Sequence, residues 1–208
     1  MIVTIDGPAG SGKSTVAKLV AAKLGVPHLD SGAYYRMATL ACLNAGTDLD
    51  DPDAVMAEVS RNTYTRQEGR SYLNGSDVEA VIRSQRVTLV VYKIAQNQAV
   101  RAWLLTPMRA ELAAAGGVID GRDGATVIAP HADVKIWLTA DVHERACRRA
   151  KEMGECDRID WYEQDLIRRD HADAQQMTRH AHAIVIDTTA MPIDAVVEEI
   201  VQRTSTPS

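Results

Sequence analysis

The chain has 208 residues, 46% of them apolar and 25% charged, the balance of one ordinary soluble domain carrying at most an insertion. Its 23 basic and 28 acidic side chains leave a formal charge of -5, which argues against a surface that neutralises a nucleic-acid polymer or holds a membrane by bulk charge. Cys42, Cys147 and Cys156 are an odd number at no metal-ligand spacing, no run of eighteen apolar residues occurs and Met1 to Ile5 carries no basic leader, so a cytoplasmic protein with free thiols is expected.

Taken in chain order, Ile2 to Ile5, closed by Asp6-Gly7-Pro8, reads as a short buried strand. Lys13 to Leu24 sets Val16, Leu19, Val20 and Leu24 at helical spacing, and Gly25 ends that helix. Val26 to Asp30 is long enough only for a second small strand, after which Ser31 is expected to cap a helix reaching about Gly46. From Thr47 to about Arg86 the texture becomes polar and turn-rich, with a helix expected at 52–60 and strand-like pieces near 63–66 and 71–73; this stretch reads as an insertion. Helices are expected at about 87–97 and 98–114, then strands at 118–120, 133–138 and 183–186, each followed by a helical stretch. Strands apolar on both faces and alternating with helices imply an α/β fold, a parallel sheet of about five strands with helices on both faces. The tail from Arg203 to Ser208 is expected to be disordered.

Gly7-Pro8-Ala9-Gly10-Ser11-Gly12-Lys13-Ser14 satisfies G-x-x-x-x-G-K-[ST] at every fixed position and lies between an expected strand and an expected helix, the context that motif requires. Glycines let successive backbone N–H groups turn inward as an anion nest, and the helix N-terminus adds its partial positive charge at the same place. Lys13 supplies a cation for β- and γ-phosphates, and the Ser14 hydroxyl is placed to ligate Mg²⁺. Gly7 to Ser14, with Thr15, are therefore the candidate ATP-binding residues. The loop alone says that a nucleoside triphosphate binds; the reaction has to come from the rest of the chain. No Asn-Lys pair of the guanine-reading kind and no Asp-Glu pair of the remodelling-ATPase kind occurs.

Seven basic residues fall between 145 and 169, alongside six acids, so this is a mixed segment rather than a polybasic patch. Arg145, Arg148 and Arg149 stand at i, i+3 and i+4 of a helix that Asp141 is placed to cap, with Glu144 at the capping-box position. A shared arginine face suits polyphosphate, because guanidinium forks bind phosphate oxygens bidentately and spread over a transferring phosphoryl group. The competing reading is an exposed helix laced with Glu–Arg pairs.

At this point the residues resemble the bacterial cytidylate kinase family over nearly the whole chain. The segments that carry the resemblance are Ile5-Asp6-Gly7-Pro8 running into the loop, Leu29-Asp30-Ser31-Gly32-Ala33-Tyr34-Tyr35-Arg36, and Leu73-Asn74-Gly75 with Ile82-Arg83. Further along they are Asp120-Gly121-Arg122-Asp123 and Arg169-Asp170 with Asp173. The resemblance implies a nucleoside monophosphate kinase-like domain spanning 1–208, with an acceptor-binding insertion near 47–86 and a lid near 148–169. It implies phosphoryl transfer from ATP to CMP or dCMP by a monomer, with Mg²⁺. Lys13, Arg122, Arg148 and Arg149 then become the catalytic candidates. Ser31, Arg36, Arg101, Arg122, Asp123, Arg169 and Asp173 are implied to hold the acceptor, Ser31 near the base and Arg36 at the phosphate. An acidic Asp123 suits the exocyclic amine that separates cytosine from uracil.

The chain departs from the family pattern at Tyr92, where the family usually has Ser, at Gln98 for Pro, at Gly124-Ala125 for Ile-Gly, at Met108-Arg109 for Gln-Arg, and at Gln176 for Arg. All lie on the acceptor side. A related kinase acting on another or a modified monophosphate, and a nucleotide-dependent regulatory protein, stay open as alternatives.

Overall fold

The computed structural model describes residues 1–174 and 177–205. The chain forms two compact units, Met1–His28 with Gly116–Ser208, and Leu29–Ala115.

The first unit holds β1 (Ile2–Asp6), β6 (Gly117–Gly121), β7 (Val134–Thr139) and β8 (Ile184–Asp187) of a five-stranded sheet ordered β2-β6-β1-β7-β8, whose edge strand β2 (His28–Asp30) begins at the last residue of that unit's first segment. β1 pairs parallel with β6 and β7, and β7 with β8. The register sets Asp6 opposite Gly121 and Trp137, and Thr139 opposite Asp187, so the carboxyl ends of these strands share one edge, where parallel sheets bind ligands. Val3 and Ile5 of β1 are fully buried, as the unbroken apolar run requires of a central strand. α1 (Lys13–Leu24) and α9 (Ile193–Ser205) pack Val16, Val20, Val197 and Ile200 against Val118 and Ile136. α7 (Val142–Met153) and α8 (Ile159–Asp173) form a second cluster, in which Ala146, Ala150, Tyr162 and Leu166 pack on Ala9 of the phosphate loop.

The second unit wraps around α2 (Ser31–Ala45), whose Tyr34, Met37 and Leu40 are buried. α3 (Pro52–Ser60) starts at Asp51, whose carboxylate accepts from the N–H groups of Asp53 and Ala54. A small antiparallel sheet follows, β3 (Tyr64–Gln67), β4 (Arg70–Leu73) and β5 (Ser76–Asp77), its two-residue turns at Glu68-Gly69 and Asn74-Gly75 having positive φ throughout. α4 (Gln85–Thr88), α5 (Val91–Gln96) and α6 (Gln98–Ala115) complete the unit. α6 contains Pro107 and buries Val100, Leu104, Met108 and Leu112, a strict i, i+4 stripe.

The structure departs from the sequence-based expectation in three places. Asp30, not Ser31, caps α2: its backbone is extended and its carboxylate accepts from Ala33 N–H at 3.0 Å, which makes Ser31 the first helical residue. The helix expected at 87–97 is two short helices broken at Val90, in a run of β-branched residues that resist a continuous helix, with Val87 and Ile94 each anchored in the core. Arg203 to Ser205 belong to α9 rather than to a disordered tail, the remainder of which lies outside the described residues.

Candidate active site

Beyond Asp6 the backbone turns through Gly7–Gly12 into α1. At Gly7 a Cβ would lie 2.1 Å from the Leu138 carbonyl oxygen, so the loop passes too close to β7 for any other residue. Lys13 is only 7% exposed, and its Nζ donates to the Pro8 carbonyl at 3.0 Å. Burial first, and then the positive charge of Arg122, pull its pKa down to about 7, with Arg169 acting in the same direction and Asp120 and Asp173 opposing. Three cations thus crowd one place at the head of α1. Such a cluster is unfavourable by itself and becomes favourable when a polyphosphate neutralises it.

Ser14 points from the first turn of α1 to β6, where its Oγ donates to Asp120 Oδ2. Asp120 is buried, and its other carboxylate oxygen lies 2.6 Å from His28 Nε2. A hydroxyl and a carboxylate side by side are hard oxygen donors of the kind Mg²⁺ takes alongside phosphate oxygens and water. Among the described residues no group of three or more His, Cys, Asp or Glu could hold a metal ion by itself.

Asp6, at the end of β1, accepts from the N–H groups of Gly124 and Ala125, both at 2.8 Å. These bonds fasten a short π-helical turn, Gly124–Ile128, behind Arg122 and Asp123. Burial raises the Asp6 pKa to about 6, those two bonds pulling it down and the nearby Asp123 charge raising it further. A Cβ at Gly124 would lie 2.9 Å from Asp6 Oδ1, so the Gly-Ala variation from the family pattern leaves room for this contact.

Arg122 Nε donates to Asp173 Oδ2 at 2.9 Å, joining the loop after β6 to the last residue of α8. Arg169, one turn earlier on α8, is partly buried, and desolvation together with the Arg122 charge lowers its pKa. Asp173 thus hydrogen-bonds across to Arg122, while its charge also acts on Arg169 along its own helix. Asp123 is 6% exposed at the start of the π-helical turn.

The arginines of α7 share a stripe but take different partners. Arg145 is buried and donates to the carbonyls of Ala9 and Ala140 at 2.8 and 3.1 Å. Arg148 bonds Glu144 and the Thr188 side chain and carbonyl, and Arg149 pairs with Glu152 at 2.7 Å. The cap at Asp141 forms as expected, but Glu144 turns to Arg148, and the Asp141 N–H is satisfied by Thr189 Oγ1 instead.

In the second unit, Ser31 is buried at the start of α2. Arg36 donates to the Ile82 carbonyl and Thr88 Oγ1, at 3.1 and 2.9 Å. Arg101 lies over the Tyr35 ring at 5.6 Å and donates to the Ala95 carbonyl. Tyr92 is exposed on α5 and Met108 is a fully buried core residue of α6. Gln176 lies outside the described residues.

The family model described as cytidylate kinase matches residues 3–206. The chain belongs to the cytidylate kinase family. It is 43% identical over 208 residues to a cytidylate kinase of Paraburkholderia phytofirmans, covering 97% of this chain and 91% of that one. It is 42% identical over 210 residues to a cytidylate kinase of Shouchella clausii, covering 95% and 93%. A solved structure of an uncharacterized protein from Eubacterium ventriosum shares the fold, with a TM-score of 0.56 at 13% identity and 99% of each chain covered. Among the described residues no helix is long and apolar enough to cross a membrane.

Of the residues expected at the site, the charges of Arg122, Arg169 and Asp173 all act on Lys13. Four residues around the phosphate loop have structural roles that the sequence did not assign them: Asp6, His28, Asp120 and Arg145, the last seated under the loop instead of facing the phosphates. A visible signal existed for two of them, since Asp6 and Asp120 each end an apolar parallel strand, where a buried carboxylate faces the ligand edge. Nothing local marks His28 or the inward turn of Arg145.

Proposed function

We propose that the chain transfers the terminal phosphoryl group of ATP to CMP or dCMP, giving ADP and CDP or dCDP. The observation that carries this reading is the complete phosphate loop whose buried Lys13 is crowded by Arg122 and Arg169, in a chain matched by the cytidylate kinase family along almost its full length.

In this reading the Gly7–Ser14 loop and Thr15 hold the ATP phosphates. Lys13 regains its proton as the phosphates arrive and follows the charge from the γ-phosphate to the departing ADP oxygen. An oxygen of the acceptor phosphate attacks the γ-phosphorus, and the bond to the β,γ-bridging oxygen breaks. That attacking oxygen is anionic at neutral pH, because the second pKa of a phosphate monoester is about 6, so the chain need supply no general base. Its work is positioning and charge stabilisation, by Lys13 and Arg122, with Arg148 and Arg149 as further candidates. Neutralising charge on the β- and γ-phosphates is the chemistry Mg²⁺ supplies when bound, and Ser14 and Asp120 are the residues that would hold it.

Acceptor contacts are assigned to Ser31, Arg36, Arg101, Arg122, Asp123, Arg169 and Asp173, with 47–86 as the acceptor-side insertion and 148–169 as the lid of a single kinase domain. The reading extends to a monomer that binds no nucleic-acid polymer and works in the cytoplasm, in keeping with the charge of -5 and three free cysteines. ADP formation measured with CMP, dCMP, UMP and AMP tests it. Turnover with CMP or dCMP far above the others is expected; ATP hydrolysis insensitive to any acceptor would overturn the assignment.

A further inference from the structure

Behind the phosphate loop three side chains from separate elements form a continuous chain: His28 on β2, Asp120 on β6 and Ser14 on α1. His28 and Asp120 are nearly buried, with 10% and 4% of their side chains exposed. A carboxylate offers only acceptors, so the bond at 2.6 Å requires the proton to sit on His28 Nε2.

We propose that His28 is a positioning residue for the metal–nucleotide complex, holding the Asp120 carboxylate so that its second oxygen accepts the Ser14 hydroxyl hydrogen bond. The terminal torsion of an aspartate is broad, so a carboxylate tied by one oxygen still swings. Tied by both, it turns only by breaking two bonds, and burial leaves little water to replace either. Ser14, with its O–H directed to Asp120, keeps its lone pairs for a cation at the phosphates. Outer groups of this kind, which orient the residues that hold a metal, act on metal affinity through geometry rather than contact. The inference rests on the reading of this loop as a Mg²⁺–nucleotide site. It competes with a purely architectural role, since His28 also follows Pro27, whose carbonyl accepts from Val118 N–H at 2.9 Å and ties the same two segments together.

The test is calorimetric binding of ADP to the full chain, in EDTA and in excess Mg²⁺; the ratio of the two affinities is the metal gain. His28→Ala should lower that gain by about 10- to 100-fold and leave ADP affinity in EDTA unchanged. His28→Gln, whose amide N–H reaches the same carboxylate, should recover most of it, whereas the shorter His28→Asn should not. Should His28→Ala fail to fold, the Gln and Asn variants carry the comparison. A full metal gain in His28→Ala or His28→Asn, even with a lowered Tm, would reduce His28 to a strand tie and overturn the proposal. Asp120→Asn separates the underlying reading: if it retains the wild-type gain, Asp120 does not serve the metal, and both that reading and the role of His28 fail. A wild-type chain without any metal gain overturns both as well.

Discussion

Arg145 and Asp170 form an ion pair of 2.8 Å that joins α7 to α8, and the same Arg145 nitrogen donates to the Ala9 carbonyl of the phosphate loop. The loop is thereby seated on the helix pair through one guanidinium. Gly10 packs on the same surface, where a Cβ would lie 3.3 Å from Arg145 Cβ.

Breaking this contact from the two sides should have unequal effects. Arg145→Ala removes a buried donor from two carbonyls and takes the partner from Asp170, an effect of about 3 kcal/mol. Asp170→Asn keeps an acceptor of the same shape, and with Asp170 partly exposed should destabilise by only about 1 kcal/mol. Urea unfolding of the ligand-free variants measures both; equal losses would contradict the seating of Arg145 beneath the loop.

Lys13 carries a pH signature. Its folded pKa of about 7 lies below the 10.5 of the unfolded chain, so between these values the unfolded state binds more protons and stability rises with pH. The contribution is most unfavourable below about pH 7 and fades toward pH 10. Lys13→Met should therefore raise the Tm of the ligand-free protein, by more at pH 7 than at pH 10, while lowering kcat on the order of 10³-fold. Calorimetry of ATP binding at pH 8 in buffers of different ionisation enthalpy should show proton uptake by the wild-type protein and less by the variant.

Asp6 and Gly124 should behave as a unit. Gly124→Ala forces a methyl against the Asp6 carboxylate and endangers two buried hydrogen bonds, a loss of about 1–3 kcal/mol. The folded pKa of Asp6, about 6, stands above its ordinary 3.8, so this group favours the folded state most at low pH and less as pH rises through 4 to 6. Asp6→Asn, which cannot titrate, should flatten that part of the stability profile. An unchanged profile from pH 4 to 6 would place the titration elsewhere.

Arg122 and Asp173 are assigned to the acceptor, and the 2.9 Å bond between them makes a separable prediction. Asp173→Asn weakens a charge-assisted contact and should raise KM for CMP about tenfold, with KM for ATP nearly unchanged. An effect confined to ATP would move Asp173 to the donor side.

What the sequence determined by itself is local in character. A phosphate loop is made by consecutive backbone N–H groups and one lysine, so eight adjacent residues specify it completely, and the same holds for α1 and for Asp141 as a helix cap. Apolar strands alternating with helices were likewise enough to reach the parallel sheet, because a strand buried on both faces cannot carry a polar alternation. The tertiary structure decided everything that depends on residues far apart meeting. His28 and Ser14 converge on Asp120 across roughly a hundred positions, Asp6 fastens Gly124 across as many, and Arg145 finds Ala9 at still longer range. No periodicity marks such pairs, since each is a single contact fixed by strand order and register. Even the cap of α2 went to Asp30 rather than its neighbour Ser31, because adjacent residues of equal capping propensity are separated only by where β2 stops and helical dihedrals begin.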